Sequence, residues 1–490
     1  MMFRPPRRLI PKRRTLAPAV LVLLAVASGC ASLDPKPDIN RAASTVAERS
    51  GVTPTWTEPW EASLTSWDGR APLKVEQALA MALRNNREIR SQVEQIAASR
   101  ADLVQAGLLP NPVVGLTLRF PFDPVSGGSF IGAQVVQSFT ALWLRDGKIK
   151  AADARLNQTV LDISDKALRL VAEVRATHAR IDFGQRAISL ADENLTTIQK
   201  SIDSLDARVR GGEGTPLDVN RAKQQQAKAQ AERTIVMRDL AKERRRMLEL
   251  LGFAGEGAEW TAVAGLAGPP VIDEATALTL ASSQRLDVAA ARAIAEAHRA
   301  DLSVEEQSRV KDFGLGADFE RAAEGAKSVG PVLDVAVPIF DTNQAQIAKA
   351  GSLARAALAT FEAASQRAVR EARVAWVELD SATRLVDQYR STVLTLSERN
   401  LALAEAALKA GQADVTVLLE SQRELIDARA RLNELERQAA IACIELEYAV
   451  GGGLMGTPSP AHDPLDRDPA TIGAAIQPNS LDEVPSGAHP

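Results

Sequence analysis

Aromatic residues, cysteine and histidine are scarce in this chain of 490 residues. Phe, Trp and Tyr make up 4% of the sequence, and there are two cysteines. Two cysteines exclude a framework of several disulfides. The four histidines, His178, His298, His462 and His489, do not fall at the spacing of metal ligands. Abundant Ala, Leu, Arg and Glu with so few aromatics favour long helices packed through small residues.

Motifs of the common enzyme classes are also missing. The chain contains no HExxH, CxxC, GxSxG or GxxxxGK[ST] pattern. The segment GGEGTP at 211–216 has the glycines of a phosphate loop but lacks the Lys-Ser/Thr that would hold phosphate and magnesium. We therefore expect no catalytic residues, no cofactor and no metal site.

Charge is distributed unevenly along the chain. Residues 1–29 hold six basic and no acidic residues, so the remainder carries 52 basic against 62 acidic residues, which argues against nucleic acid as a partner. The same N-terminal residues join a basic start, MMFRPPRRLIPKRR, to an apolar run, LAPAVLVLLAVASG, as in secretory signal peptides. The alternative is a membrane-spanning helix, but the run is shorter than the ~20 residues that a span needs.

The two cysteines lie in different contexts. Cys30 follows the small residues AVASG, and this junction resembles a bacterial lipobox, although Ala27 stands where leucine is usual. The resemblance implies lipidation of Cys30 and delivery to the outer membrane, with an incidental cysteine as the alternative. Cys443 lies in an apolar helical pattern and is predicted to be a buried free thiol.

The chain repeats itself at a constant offset. RADL occurs at 100–103 and at 299–302, and the same offset pairs Gly212 with Gly411. The sequence therefore predicts a tandem duplication. Its segments are a signal peptide at 1–29, an irregular arm at 30–73, a first repeat at 74–253, a linker at 254–272, a second repeat at 273–450 and a disordered tail at 451–490.

Each repeat is predicted to contain the same elements in the same order. A first helix is followed by two strands, at 112–120 and 129–139 in the first repeat and at 312–320 and 331–340 in the second. Long helical stretches follow at 145–210 and 343–410, each spanning on the order of 100 Å. Each then turns and returns as another helix, from Pro216 and from Val415.

Four strands are too few to close a barrel, and an open sheet in a bilayer would leave backbone groups unsatisfied. A small soluble sheet is the alternative, but helices of this length cannot fold back onto it. Three chains would supply twelve strands. The predicted fold is therefore mainly α with a small β part: a duplicated helix–strand–strand–helix–helix unit, building a trimeric 12-stranded β-barrel continued by a long α-helical barrel.

Several segments, in order, resemble the TolC-type outer-membrane efflux proteins. They are LKVEQALAMALRNNREI, AGLLPNPVV, GEGTPLDVNRAKQQ, VPIFDTNQAQIAKA and LKAGQADVTVLLESQRELIDARARL. The resemblance implies a homotrimeric outer-membrane channel that works passively with a periplasmic adaptor (membrane fusion) protein and an inner-membrane transporter. The segment at 337–350 is most similar to branches paired with resistance–nodulation–division pumps, including metal exporters. Type I protein secretion and a non-channel coiled-coil envelope lipoprotein are the alternatives.

The two turns between the long helices are the candidate site. By resemblance they form the periplasmic tip, which contacts the adaptor and sets the aperture; the alternative is that they only reverse the chain. The tip residues are Gly212, Gly214, Thr215, Pro216, Asp218, Gly411, Asp414 and Thr416. Glycine suits a helix end, and Thr215 or Asp414 can cap the returning helix.

The resemblance also implies carboxylates at the aperture. Glu420 matches one of the family's positions, whereas the other position is Val417 in this chain, and Asp414 is the carboxylate that could replace it. The alternative for Glu420 is an ordinary solvent-facing side chain. Trp56, Trp60 and Trp67 are expected either to hold the arm against the tube or to lie at a membrane interface.

Overall fold

A computed structural model describes residues 33–57, 67, 69–120, 128–253, 260–263, 265, 272–309 and 313–454. The signal peptide, Cys30, Trp60, His462, His489 and nearly all of the predicted tail lie outside these residues. No helix in the described ranges is both long and apolar enough to cross a membrane.

The helices and strands occur in the same order in both halves. A helix of the N-terminal arm comes first, α1 (Lys36–Ser50). The first half contains α2 (Val75–Asn85), α3 (Arg87–Gly107), β1 (Val113–Arg119), β2 (Phe130–Ser138), α4 (Thr140–Arg210) and α5 (Pro216–Leu250). The second contains α6 (Glu274–Gln284), α7 (Leu286–Gln307), β3 (Phe313–Arg321), β4 (Lys327–Val335), α8 (Gln344–Gln388), a π-helical turn (Tyr389–Leu394), α9 (Thr395–Lys409) and α10 (Val415–Ala449).

The first helix of each half is divided in two, where the sequence predicts one continuous helix. Asn86 adopts an extended conformation between α2 and α3, and its side chain accepts hydrogen bonds from the backbone N–H groups of Glu88 and Ile89. Asn is a strong N-cap residue, so it starts a new helix here. Arg285 is extended at the equivalent point between α6 and α7.

The four strands form one antiparallel sheet in the order β1-β2-β3-β4. Three of the strands lie within a residue or so of their predicted positions, but the expected 331–340 is wrong, since β4 spans Lys327–Val335. A tight turn closed by Gly325 lets pairing begin at Lys327. Pro331 lies within this strand, which proline tolerates because β4 is at the sheet edge.

The N-terminal arm is partly helical, where an irregular segment is predicted. Helix α1 buries Ile39, Ala42 and Val46 in the main core. Trp56 is buried and donates from Nε1 to the carbonyl of Leu83 at 2.9 Å. Burial of this apolar face stabilises α1. Trp56 holds the arm against the protein, as expected.

Small residues dominate the packing of α8, whereas α4 buries mainly Leu, Ile and Val. The buried positions of α8 include Ala350, Ala357, Ala364, Ala368 and Ala372. Alanines at such spacing bring helix backbones close together with little loss of side-chain entropy. Cys443 is buried as a free thiol, and burial together with Glu447 raises its pKa to about 11.

Candidate functional site at the helix-hairpin turns

The two turns that end the long helices have the same backbone hydrogen bonds. Gly212 N–H donates to Val209 O at 3.1 Å, and Gly411 N–H donates to Leu408 O at 3.0 Å. The next N–H group of each turn donates five residues back, from Glu213 to Arg208 O and from Gln412 to Ala407 O, both at 2.9 Å. Gly212 and Gly411 have φ values of 81° and 67°, a conformation that glycine adopts without strain. The repeat in sequence is therefore a repeat in turn geometry.

Side chains cap both returning helices. Thr215 accepts from the backbone N–H of Asp218 and donates from Oγ1 to the Asp218 carboxylate at 2.7 Å. Pro216 occupies the first turn of α5, where its missing N–H costs nothing. A Cβ on Gly214 would lie 3.2 Å from the backbone N of Val209, so a side chain there is crowded. These residues explain the reversal of the chain.

Asp414 has two partners besides its capping role. Its carboxylate accepts from the backbone N–H of Val415 at 2.7 Å, from Thr416 Oγ1 at 3.1 Å and from Arg208 Nη1 at 2.7 Å. The Arg208 guanidinium is the first cause that lowers the pKa of Asp414, followed by these hydrogen bonds. Arg208 lies in the last turn of α4, so this ion pair joins the end of the first long helix to the second turn. The repeat pattern did not reveal Arg208, because its counterpart in the second repeat is Ala407.

A cleft of about 240 Å³ lies beside the turns, between α5 and α10 over α4. Asp218, Thr416 and Glu420 line it, together with Arg221 and Arg423. Glu420 is exposed, and Val417, on the same helix, is 46% exposed. The structure therefore brings three of the predicted residues together at one cleft, while the Asp414 carboxylate is engaged by Arg208.

The sheet has two chemically different faces. Its register places mostly apolar side chains on one face: Val114, Leu116, Leu118, Ile131, Ala133, Val135, Phe313, Leu315, Ala317, Phe319, Val329, Pro331, Leu333 and Val335. The polar exceptions on this face are Gln137, Arg321 and Lys327. The opposite face is mostly small or polar, with Gly115, Thr117, Arg119, Gly132, Gln134, Ser138, Gly314, Gly316, Asp318, Glu320, Ser328, Gly330 and Asp334, and it also carries Val113, Phe130, Val136 and Val332. Val329 is 77% exposed on the apolar face. A sheet with one apolar and one polar face, both uncovered, suits a wall between lipid and water.

A partly buried group of charged and polar side chains lies near the end of α10. Tyr448 donates to both carboxylate oxygens of Asp165 at 3.3 Å and accepts from Arg169 at 2.8 Å. Burial, followed by the nearby Asp287, raises the pKa of Asp165 to about 6. Burial and Asp165 likewise raise the pKa of Tyr448 to about 12. These residues join α4 to the end of α10.

Two of the four histidines lie in the described part of the chain, and each has a local partner. His178 is buried against the carbonyl of Leu73 at 3.0 Å, and His298 lies 3.6 Å from Asp301. Within the described residues, no group of three or more His, Cys, Asp or Glu side chains could hold a metal ion.

Long helical hairpins joined to a two-faced sheet define a class of protein, the outer-membrane channel subunits. The outer membrane protein VceC of Vibrio cholerae has this fold, with a TM-score of 0.63 and 16% identity over 78% of this chain and 96% of that one. The sequence model of the family described as Outer membrane efflux protein matches residues 78–253 and again 277–452, so the chain belongs to that family. It is an outer-membrane efflux protein that extends into the periplasm, and it is not an enzyme.

Two curated relatives extend this similarity. The cobalt-zinc-cadmium resistance protein CzcC of Cupriavidus metallidurans is 23% identical over 78% of this chain and 91% of its own length. The outer membrane protein OprJ of Pseudomonas aeruginosa is 25% identical over 82% of this chain and 92% of its own length.

Proposed function

We propose that three copies of this chain assemble into a passive exit duct, closing a 12-stranded barrel in the outer membrane above a helical tube in the periplasm. The two-faced sheet carries this proposal. Strands β1 and β4 are its outer strands, with no further neighbour among the described residues. In a bilayer both edges must be paired, and the edges of neighbouring copies can pair with each other.

The long helices support the same assembly. An exposed apolar stripe runs along α8 and α9, made of Val374, Val377, Leu385, Leu396 and Leu403. These positions fall on one side of the helical axis. Helix α8 follows β4 in the chain, and we propose that a second copy joined at β4 would also cover this stripe. One interface between copies would then both bury the apolar stripe and pair the edge strand β4.

The cleft beside the two turns, called the tip cleft below, is the proposed contact for the periplasmic adaptor. The adaptor would connect the duct to an inner-membrane transporter of the resistance–nodulation–division type. The cleft offers an apolar floor from Ile198 and Ile426 and charges from Asp218, Arg221 and Arg423 at its rim. This mixture suits the tip of a helical hairpin better than a small ligand. Gly212 and Gly411 hold the two turns that flank it.

Cys30 is the proposed lipid anchor in the outer membrane. Helix α1 begins at Lys36, six residues after Cys30. Palmitate labelling of the native chain should be lost in Cys30→Ala, and equal label in both would refute lipidation. The proposed cargo is small molecules or metal ions, the latter because the relative CzcC is named for resistance to cobalt, zinc and cadmium.

Neighbouring residues on β1 provide the central test. Leu116→Arg places a charge on the apolar face at a cost of about 2–4 kcal/mol near the bilayer centre, whereas Thr117→Arg places it on the polar face. We expect Leu116→Arg to abolish membrane insertion, and Thr117→Arg to insert and alter single-channel conductance. Equal insertion of both variants, or migration of the native chain as a monomer in detergent, would contradict the proposed barrel.

A further inference from the structure

A second cavity, of about 950 Å³, lies where the helices meet the sheet. Its walls come from α3, α4, α7 and α8, and residues 108–110, which lead into β1, line one end. These helices form a layer, in which α4 packs on α3 and α7, and α7 packs on α8. A single space can border all four helices of a layer only on the layer's concave side. In the proposed duct this side faces the axis, so the cavity would open to the lumen.

Three cations of this cavity have no carboxylate partner among the described residues. They are Arg145 and Lys148 on α4 and Lys349 on α8. Arg145 donates from Nε to the carbonyl of Gly107 at 2.8 Å. Because α7 lies between α4 and α8, the two lysines belong to opposite walls of the cavity. Lysine has a flexible four-carbon stem, so each ammonium group can approach an anion held between the walls.

The carboxylates of the cavity are fewer than its cations. Asp301 forms an ion pair with Arg155 on the neighbouring helix. Glu305 accepts from the neutral Asn343 Nδ2 at 2.6 Å, and Asp102 has no ion pair in the described part of the chain. With histidine counted as neutral, three unpaired cations therefore stand against two unpaired carboxylates. The cavity carries a net positive charge, although the formal charge of the whole chain is −4.

The size and the floor of the cavity suit a small organic molecule. The floor is apolar and made largely of small side chains: Ala151, Ala152, Ile294, Ala350 and Leu353. Lysine donates charge-assisted hydrogen bonds to carboxylate and phosphate oxygens, while an apolar body can cover the alanines. These features together fit an organic anion better than a metal cation or a neutral solute.

We propose that this cavity binds organic anions, which Lys148 and Lys349 hold through a carboxylate or phosphate group. The inference rests on the proposed duct, because it names a class of cargo that the duct would admit below the barrel. Binding itself needs only one copy of the chain, since one chain supplies every residue of the cavity described above.

Equilibrium dialysis of the full native chain in a neutral detergent tests the site, with 2-naphthoate as the probe and protein-free micelles as the blank. We expect Lys148→Gln with Lys349→Gln to weaken binding about tenfold, because the charge-assisted hydrogen bonds are lost. Arginine at both positions keeps the charge and should retain the affinity within about twofold. Lys150→Gln is the matched control, since Lys150 is an exposed lysine of α4 that does not line the cavity.

The neutral analogue 2-naphthamide separates charge recognition from simple apolar binding. It should bind more weakly than 2-naphthoate to the native chain, and equally to the native chain and the double glutamine variant. Equal affinity of these two proteins for 2-naphthoate, or no binding of 2-naphthoate to the native chain, would overturn the site. Dialysis does not depend on conduction. A chain that binds 2-naphthoate through the two lysines but forms no channel would therefore refute the duct alone, and a conducting chain whose binding ignores them would refute the anion site alone.

Discussion

Arg208 Nη1 lies 2.7 Å from Asp414 Oδ1, and this pair joins the end of α4 to the first residue before α10. The two residues are 206 positions apart and belong to different repeats. Asp414 also caps α10, so one carboxylate both orders the second turn and attaches it to the first. Arg208 is partly exposed and Asp414 is exposed to solvent, so salt should weaken this pair.

Asp414→Asn separates these two roles. Asparagine is as good an N-cap as aspartate, but it carries no charge for Arg208. We expect the variant to fold normally and to loosen the tip, raising single-channel conductance about twofold or more in the proposed duct. Arg208→Ala should give the same increase, whereas Arg210→Ala, an exposed neighbour, should leave conductance unchanged. Unchanged conductance in both pair variants would show that the link does not restrict the tip.

Glycine at 411 is required by its backbone conformation. No atom lies within 4 Å of a Cβ built there, so only the φ of 67° opposes a side chain. Gly411→Ala should lower the free energy of unfolding of the hairpin by about 1–2 kcal/mol, and Gly411→Asn by less, because asparagine tolerates this conformation. Hydrogen exchange of the amides in α9 and α10 measures the loss of stability in each of the two variants. Equal protection in the native chain and in Gly411→Ala would rule out this strain.

The duplicated architecture could be predicted because it depends on local signals. The prolines that end helices, the strand-length apolar segments and the paired turn glycines occur in both halves at a constant offset. Strand β4 was misplaced because Pro331 suggests a strand start, whereas an edge strand accepts proline in its interior. Asn86 was overlooked as a helix break because a single capping residue hardly disturbs the apolar period.

Contacts between the repeats could not be predicted in the same way. Arg208 has no counterpart in the second repeat, and its partner Asp414 is distant in sequence. The π-turn at 389–394 leaves no break in composition. The Arg208–Asp414 pair depends on how the two hairpins lie side by side, which the periodicity of a single helix does not encode.

Glu420 remains a predicted aperture residue. It lines the tip cleft and is exposed, and in a trimer three such carboxylates would attract cations to the axis if they face it. Glu420→Ala should then reduce the cation selectivity and the divalent-cation block of single channels. Glu405→Ala, an exposed carboxylate on α9, is the control. Identical reversal potentials in the native and Glu420→Ala channels would assign Glu420 to the outer surface.

Asp165 is predicted to make stability depend on pH. Its pKa is about 6 in the folded protein, mainly because it is buried, against about 4 in an unfolded chain. A raised carboxyl pKa favours folding below the unfolded value and loses that contribution as pH rises through the folded value. The stability due to this group should therefore fall between about pH 4 and pH 6.

Asp165→Asn removes the charge and keeps an acceptor for Tyr448. At pH 7.5 the variant should be more stable than the native chain by about 1–2 kcal/mol, equivalent to roughly 2–4 °C in Tm. At pH 4 this advantage should vanish, because native Asp165 is then protonated. Asp153→Asn, on the exposed side of the same helix, should show no such pH-dependent difference. An equal Tm difference between Asp165→Asn and the native chain at both pH values would show that Asp165 does not titrate in this range. Its interactions with Arg169 and Arg285 would then outweigh the cost of burial.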